Sequence, residues 1–192
     1  MNNIGKIKNV AVYLGAAEVA TAVYRQAVTG IAHYLADHDL TLIFGGSNAG
    51  MMKLLADTML ARKGEVIGVF TNDLPEKWLR RDLTGFVITA DLADRKREML
   101  RRADAVVALP GSLGTFDELF DALARRKLGK ITCPIGVLNV NGFFDPLFAL
   151  LQNSIEAGFC SQRTVNFLQS GNTPEELFGK LHSFCFSAPA VR

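Results

Sequence analysis

Short, continuously apolar runs recur along the whole chain, and nearly every one is followed by a segment with helical periodicity. Val10–Leu14, Leu40–Phe44, Val66–Phe70, Phe86–Thr89, Ala105–Leu109 and Ile135–Val140 are such runs. They are mostly unbroken rather than alternating apolar with polar, which is the pattern of strands buried on both faces. After the first run, Val19, Val23, Ala27, Ile31 and Leu35 recur every fourth residue, one face of a helix. Met51–Lys63, Asp91–Arg102, Thr115–Lys127 and Leu147–Ala157 also read as helices, with Gly64 and Gly129 placed as stops. Thr164–Leu168 reads as a short last strand. Thr173-Pro174-Glu175-Glu176 then opens a final helix, with Thr as N-cap, Pro at N1 and Glu at N3. This alternation predicts an α/β fold, a Rossmann-like doubly wound parallel sheet of about seven strands with helices on both faces. Ligands in such a sheet sit at the carboxyl ends of the strands, near the topological switch point.

The chain's 192 residues suit about one domain. With 49% hydrophobic and 21% charged residues, it is neither a disordered chain nor a disulfide mini-protein. The formal charge of +2 argues against a bulk polyanion such as nucleic acid as partner. No apolar stretch is long enough for a transmembrane helix, and no membrane partner is expected. Glu18 interrupts the apolar N-terminal stretch, which reads better as a first strand than as a signal peptide, so a cytoplasmic location is expected. Cys133, Cys160 and Cys185 are odd in number and lack a C-x-x-C pair; buried, reduced thiols are expected rather than a metal site. His33, His38 and His182 lie away from every glycine motif. No cofactor is called for.

Three strand ends carry unusual residues. The first is Gly45-Gly46-Ser47-Asn48-Ala49-Gly50, between a strand and a helix. Glycines there let the backbone approach an anion at a helix N-terminus, but a turn needing positive φ accounts for them equally well. The second is Pro110-Gly111-Ser112-Leu113-Gly114-Thr115-Phe116-Asp117-Glu118. Thr115 can offer a hydroxyl and an N–H to a phosphate, whereas Thr115-x-x-Glu118 also has the spacing of a capping box, in which the glutamate merely satisfies a helix-end amide. The third is the basic run Asp94-Arg95-Lys96-Arg97-Glu98-Met99-Leu100-Arg101-Arg102. Most of it reads as a solvated helix face. Arg95 is the exception, because a cation in a first helical turn opposes the macrodipole and needs an anionic partner to explain it. Arg125-Arg126-Lys127 falls in a last helical turn, where the dipole is explanation enough.

Together these segments resemble the LOG family of phosphoribohydrolases, often mislabelled "lysine decarboxylase". That family pairs Met-x-x-Arg-Lys with Pro-Gly-Gly-x-Gly-Thr-x-x-Glu. Here Leu92-Ala93-Asp94-Arg95-Lys96 and Pro110 to Glu118 stand in those places. Gly45-Gly46-Ser47 with Gly50-Met51-Met52 is similar to the family's Gly-Gly-Gly-x-x-Gly-Leu-Met, and the likeness spans roughly residues 8 to 182. The resemblance implies hydrolysis of the N-glycosidic bond of a nucleoside 5′-monophosphate, such as AMP or a cytokinin riboside monophosphate. It makes Arg95 and Glu118 the catalytic pair. It assigns substrate and phosphate binding to Gly45, Gly46, Ser47, Gly50, Met51, Lys96, Gly111, Ser112, Leu113, Gly114 and Thr115. It also implies a homodimer. Nothing marks a Schiff-base lysine, so the older label is discounted. The chain departs from the pattern at Ser47, Lys53, Ser112 and Ala124-Arg125-Arg126-Lys127, and Ala93 replaces the family's histidine. Serine at 112 would be strained if that position needs positive φ. Two other readings share the fold: a non-catalytic carrier such as a molybdenum-cofactor carrier, which needs the glycine loops but not the Arg95–Glu118 pair, and a single-stranded DNA binder, which the near-neutral charge disfavours.

Overall fold

The structure is a computed structural model that describes residues 7–18 and 21–187, without the side chains of 185–187. The expected helical position Val19 and the side chain of Cys185 lie outside those residues. The strands are β1 (Asn9–Tyr13), β2 (Thr41–Phe44), β3 (Val66–Thr71), β4 (Gly85–Thr89), β5 (Ala105–Ala108), β6 (Ile135–Leu138) and β7 (Leu168–Gly171). The helices are α1 (Ala22–Asp37), α2 (Gly50–Ala61), α3 (Leu92–Arg102), α4 (Leu113–Lys127), α5 (Asp145–Glu156), α6 (Gln162–Val165) and α7 (Pro174–Ser187). The strands form one sheet in the order β4-β3-β2-β1-β5-β6-β7, and every neighbouring pair is parallel.

Parallel neighbours need crossovers, and right-handed crossovers fix which face each helix covers. From β1 the chain steps outward through β2, β3 and β4, then returns past β1 to β5 and continues to β7. Val10, Val12 and Leu14 alternate with Ala11 and Tyr13 along β1. The first set packs with Leu35, Leu55 and Phe178 of α1, α2 and α7; the second packs with Met99 of α3 and Leu119 of α4. Both faces are covered, so β2 and β5 are buried throughout and β1 from Val10 onward, with Thr41 the one polar residue in those stretches. The reversal of direction places the switch point between β1 and β5. Pairing there runs Val10↔Ala105 to Tyr13↔Ala108 and is extended by Leu109 N–H donating to the Tyr13 carbonyl at 2.8 Å.

Two local expectations are corrected. The last strand is not Thr164–Leu168 but Leu168–Gly171, paired with β6. Ser161 caps a short helix over 162–165 by accepting from Thr164 N–H, and that turn consumes the residues that look β-branched. The stop after α2 falls on Lys63, which takes φ +58°, while Gly64 N–H bonds back to the Met59 carbonyl at 2.9 Å. A Cβ at 64 would come within 2.8 Å of the Met59 Cε and 3.2 Å of the Met59 carbonyl oxygen, so the glycine relieves crowding rather than supplying positive φ. Gly129 does take positive φ, +68°, as the stop after α4. The final helix starts as its sequence predicts, with Glu176 N–H donating to Thr173 Oγ1 at 3.2 Å.

Candidate active site at the switch point

Arg95 and Glu118 meet beside the carboxyl ends of the central strands. Arg95 leaves the first turns of α3 and is only 7% exposed. Its Nε donates to the Val69 carbonyl at 2.9 Å, and one terminal nitrogen donates to Glu118 Oε1 at 3.2 Å. The other terminal nitrogen lies against Gly45, where any Cβ would collide with the guanidinium. Gly45 is thus required by close approach. Gly46 and Gly50 take φ of +69° and +47°, so the glycine loop after β2 serves turn chemistry and access at once.

That loop is also partly occupied. Ser47 bridges Leu79, Asn48 N–H donates to the Trp78 carbonyl at 2.7 Å, and Arg80 N–H donates to the Gly46 carbonyl at 2.9 Å. At the start of α2, Met51 N–H donates to the Ala17 carbonyl at 3.2 Å, and Gly50 is wedged against Ala16 and Ala17. The β1–α1 loop is therefore part of the constellation. It is missing from the sequence-derived site because Gly15-Ala16-Ala17 fits no phosphate motif; its one signal is Gly15 ending the first strand.

The start of α4 is open by contrast. Its N-cap is Ser112, at φ −122°, so serine in place of the family's glycine is unstrained. Among the described residues the amides of Leu113, Gly114 and Thr115 donate to no protein group, while Phe116 N–H bonds to the Ser112 carbonyl at 3.0 Å. Thr115 is 2% exposed, yet among the described residues its hydroxyl has no hydrogen-bond partner. Thr115 packs on Gly111, where a Cβ would come within 2.7 Å of the Thr115 Cβ and 2.9 Å of the Gly15 nitrogen. Two backbones thus abut at the switch point, beneath a helix N-terminus with unsatisfied donors. That arrangement suits a phosphate or other anion.

The capping-box reading of Thr115-x-x-Glu118 is overturned. Thr115 lies inside α4, and Glu118 bonds Arg95 rather than a helix-end amide. Burial is the main influence on the Glu118 carboxyl and raises it from 4.5 to about 7; Arg95 pulls it down, Asp117 pushes it up and Lys96 pulls it down. Near neutrality this carboxyl is therefore divided between its protonated and ionised forms, the condition that suits a proton-transfer group. Lys96 does not enter the pair: its ammonium is held by both oxygens of Asp117 at 2.8 Å, a second bridge between α3 and α4. The rest of the basic run is paired at the surface, Arg97 with Asp94 and Arg101 and Arg102 with Glu98.

The second basic cluster is not explained by the helix dipole alone. Arg126 is 3% exposed and lies over the rings of Phe167 and Phe184 at 5.3 and 5.4 Å. Lys53 pairs with Asp57 at 2.5 Å, beside the buried Arg80, which holds Asp57 and Asp82. Cys133 and Cys160 are partly exposed rather than buried. No helix among the described residues is long and apolar enough to cross a membrane.

Comparison with known proteins agrees with this geometry. Residues 52–181 match the model of a family described as "possible lysine decarboxylase". A cytokinin riboside 5′-monophosphate phosphoribohydrolase of Arabidopsis thaliana is 31% identical over 93% of this chain and 84% of its own. The chain belongs to the LOG family. A second Arabidopsis thaliana LOG relative of the same name is 32% identical over 93% of this chain and 79% of its own. Among solved structures, the molybdenum cofactor binding protein of Rippkaea orientalis superposes with a TM-score of 0.69 at 21% identity, covering 93% of this chain and 97% of that one. The molybdenum-cofactor carrier of Chlamydomonas reinhardtii superposes at 0.67 and 18% identity, covering 95% and 100%. At those identities the likeness is one of fold. Of the LOG-family motif residues, Arg95 lies in the first turns of α3, and Gly111, Gly114, Thr115 and Glu118 run from the end of β5 into α4.

Proposed function

We propose that this chain is a phosphoribohydrolase that splits a nucleoside 5′-monophosphate, AMP or a cytokinin riboside monophosphate, into free base and ribose 5-phosphate. The observation that carries this reading is the buried Arg95–Glu118 pair set beside the unsatisfied amides and hydroxyl at the start of α4. The names of the LOG relatives support the same activity. In the reaction the C1′–N bond breaks with its electrons on the base, which gains a proton, and a water oxygen bonds to C1′. Positive charge grows on the ribose in the transition state, and an ionised Glu118 stabilises it more than it stabilises the ground state. Arg95 holds that carboxylate and can contact a ribose hydroxyl or the phosphate. The amides of 113–115, Thr115 and the Gly111 backbone hold the 5′-phosphate, with the loop at Gly45–Met51 bordering the cleft.

The test is release of free base from a panel of purine and pyrimidine monophosphates, including the N6-isopentenyladenosine form, by purified protein. Base release is expected. Tight binding with no release from any member would instead favour a carrier built on the same fold.

A homodimer is part of the reading. Phe120, Leu128, Leu150 and Phe159, carried by α4, α5 and the segments that follow them, are 42%, 69%, 56% and 84% exposed. A groove of about 190 Å³ lies there, lined by Phe120, Leu123, Leu151, Val165 and Leu168. Exposed apolar surface of this kind favours burial against a partner, and a second copy supplies one. Light scattering should give twice the chain mass of 20.9 kDa; the mass of a single chain at micromolar concentration would contradict it.

A further inference from the structure

Tyr13 is the last residue of β1, at the switch point itself. It is 1% exposed, with its ring on the face covered by α3 and α4. Among the described residues its hydroxyl neither donates to nor accepts from any group. Phenylalanine would fill the same space, and a buried phenol ordinarily finds a partner because an unmet one forfeits its hydration. The tyrosine therefore needs a reason beyond packing.

Burial acts on the phenol most strongly and pushes its titration up; of the charged and titratable groups around it, Glu118 of α4 comes first, then Cys133 from the segment before β6, Asp121 of α4 and Arg95 of α3. Asp121 is engaged by Arg125 at 2.7 Å. Glu118 accepts one hydrogen bond, through Oε1 from Arg95; among the described residues nothing donates to Oε2. An unused donor and an unused acceptor thus lie on the same face of the sheet, under α3 and α4. We infer that Tyr13 is a positioning residue whose hydroxyl donates to the Glu118 carboxylate during turnover, keeping it aimed while Arg95 turns to the substrate. The inference rests on the phosphoribohydrolase reading and deepens it. The step moves no covalent bond: the phenol keeps its proton, and the carboxylate exchanges part of the guanidinium's support for a neutral donor.

A donor to the ionised carboxylate favours the charged form, so its loss raises the carboxyl's apparent titration in the enzyme–substrate complex. The conservative variant Tyr13→Phe removes only the hydroxyl. Its kcat should fall about tenfold, the size of one hydrogen bond lost only in the transition state. KM should stay within about twofold, and the acid limb of kcat should move to higher pH. The unliganded variant should melt at the same temperature as the wild type or higher, because the hydroxyl it loses made no bond. The experiment measures base release from AMP between pH 5 and 9, together with the thermal midpoint of each unliganded protein. If Tyr13→Phe keeps kcat within twofold with an unmoved acid limb, the inference is overturned and the proposed activity stands. A melting point lowered in step with kcat would make the hydroxyl structural and overturn it too. Absence of base release by the wild type would overturn the proposed activity and this inference with it.

Discussion

Glu118→Gln should lose turnover by about a thousandfold, the scale on which charge stabilisation in a buried site contributes to rate, while ribose 5-phosphate still binds. Glutamine has the same shape, and its carbonyl oxygen can still accept from Arg95 where Oε1 does now, at 3.2 Å. The proposed phosphate cradle is untouched, since neither Thr115 nor the amides before it bond to Glu118 among the described residues. The start of α4 is untouched too, because Ser112 caps it and Glu118 does not. A loss confined to kcat, with calorimetric affinity for ribose 5-phosphate within a few-fold of wild type, isolates the negative charge as what the transition state needs. Full activity in this variant would return Glu118 to a structural role.

Arg95→Ala should be the more damaging change, acting on both activity and stability. It removes the partner of a buried carboxylate and empties the space between Val69, Gly45 and Glu118. Breaking a buried pair from one side typically costs about 3–5 kcal/mol. The cost should depend on pH, with a sign that follows from Glu118. Its carboxyl titrates at about 7 in the folded chain against 4.5 when free. The folded state therefore holds that proton more tightly. The associated stability is present in full below about 4.5 and is lost as pH rises through about 7. Without Arg95 the folded value climbs further, so at pH 5 Glu118 stays neutral and the missing cation matters little to it. At pH 8 the variant must either bury an unpaired carboxylate or hold a proton against the solution. Urea unfolding at the two values should show a much larger loss at pH 8; equal losses would mean that the pair contributes packing alone. Base release should fall at least a hundredfold at either pH.

Most of the architecture was legible because buried parallel strands write themselves as unbroken apolar runs, and because the carboxyl ends of such strands are where glycines gather. Arg95 stood out as a cation where the helix dipole disfavours one, and the structure supplies the carboxylate that explains it. The misreadings share a different cause. Thr164–Leu168 has β-branched residues, yet Ser161 starts a helical turn that local composition does not reveal. Lys63 rather than Gly64 takes the left-handed turn, and Gly64 N–H closes that turn on the Met59 carbonyl. Arg126 looked like an ordinary last-turn cation, since its aromatic partners Phe167 and Phe184 lie far along the chain. The capping-box spacing at Thr115 and Glu118 was genuine, but the helix is capped by Ser112, three residues before the threonine that the pattern marks. Tyr13 and the Gly15–Ala17 loop passed unnoticed for the plainest reason: only the sheet order, with β1 beside β5, brings the end of the first strand into the site.

The central claim is that this fold couples a phosphate cradle to a buried Arg95–Glu118 pair in order to cleave a ribosyl–base bond. Parallel incubation of the purified chain with AMP and with adenosine, quantifying free adenine by chromatography, tests it most directly. Adenine and ribose 5-phosphate should appear in equal amounts from AMP, with adenosine left intact because it cannot occupy the start of α4. No adenine from AMP, or equal release from both compounds, would contradict the account.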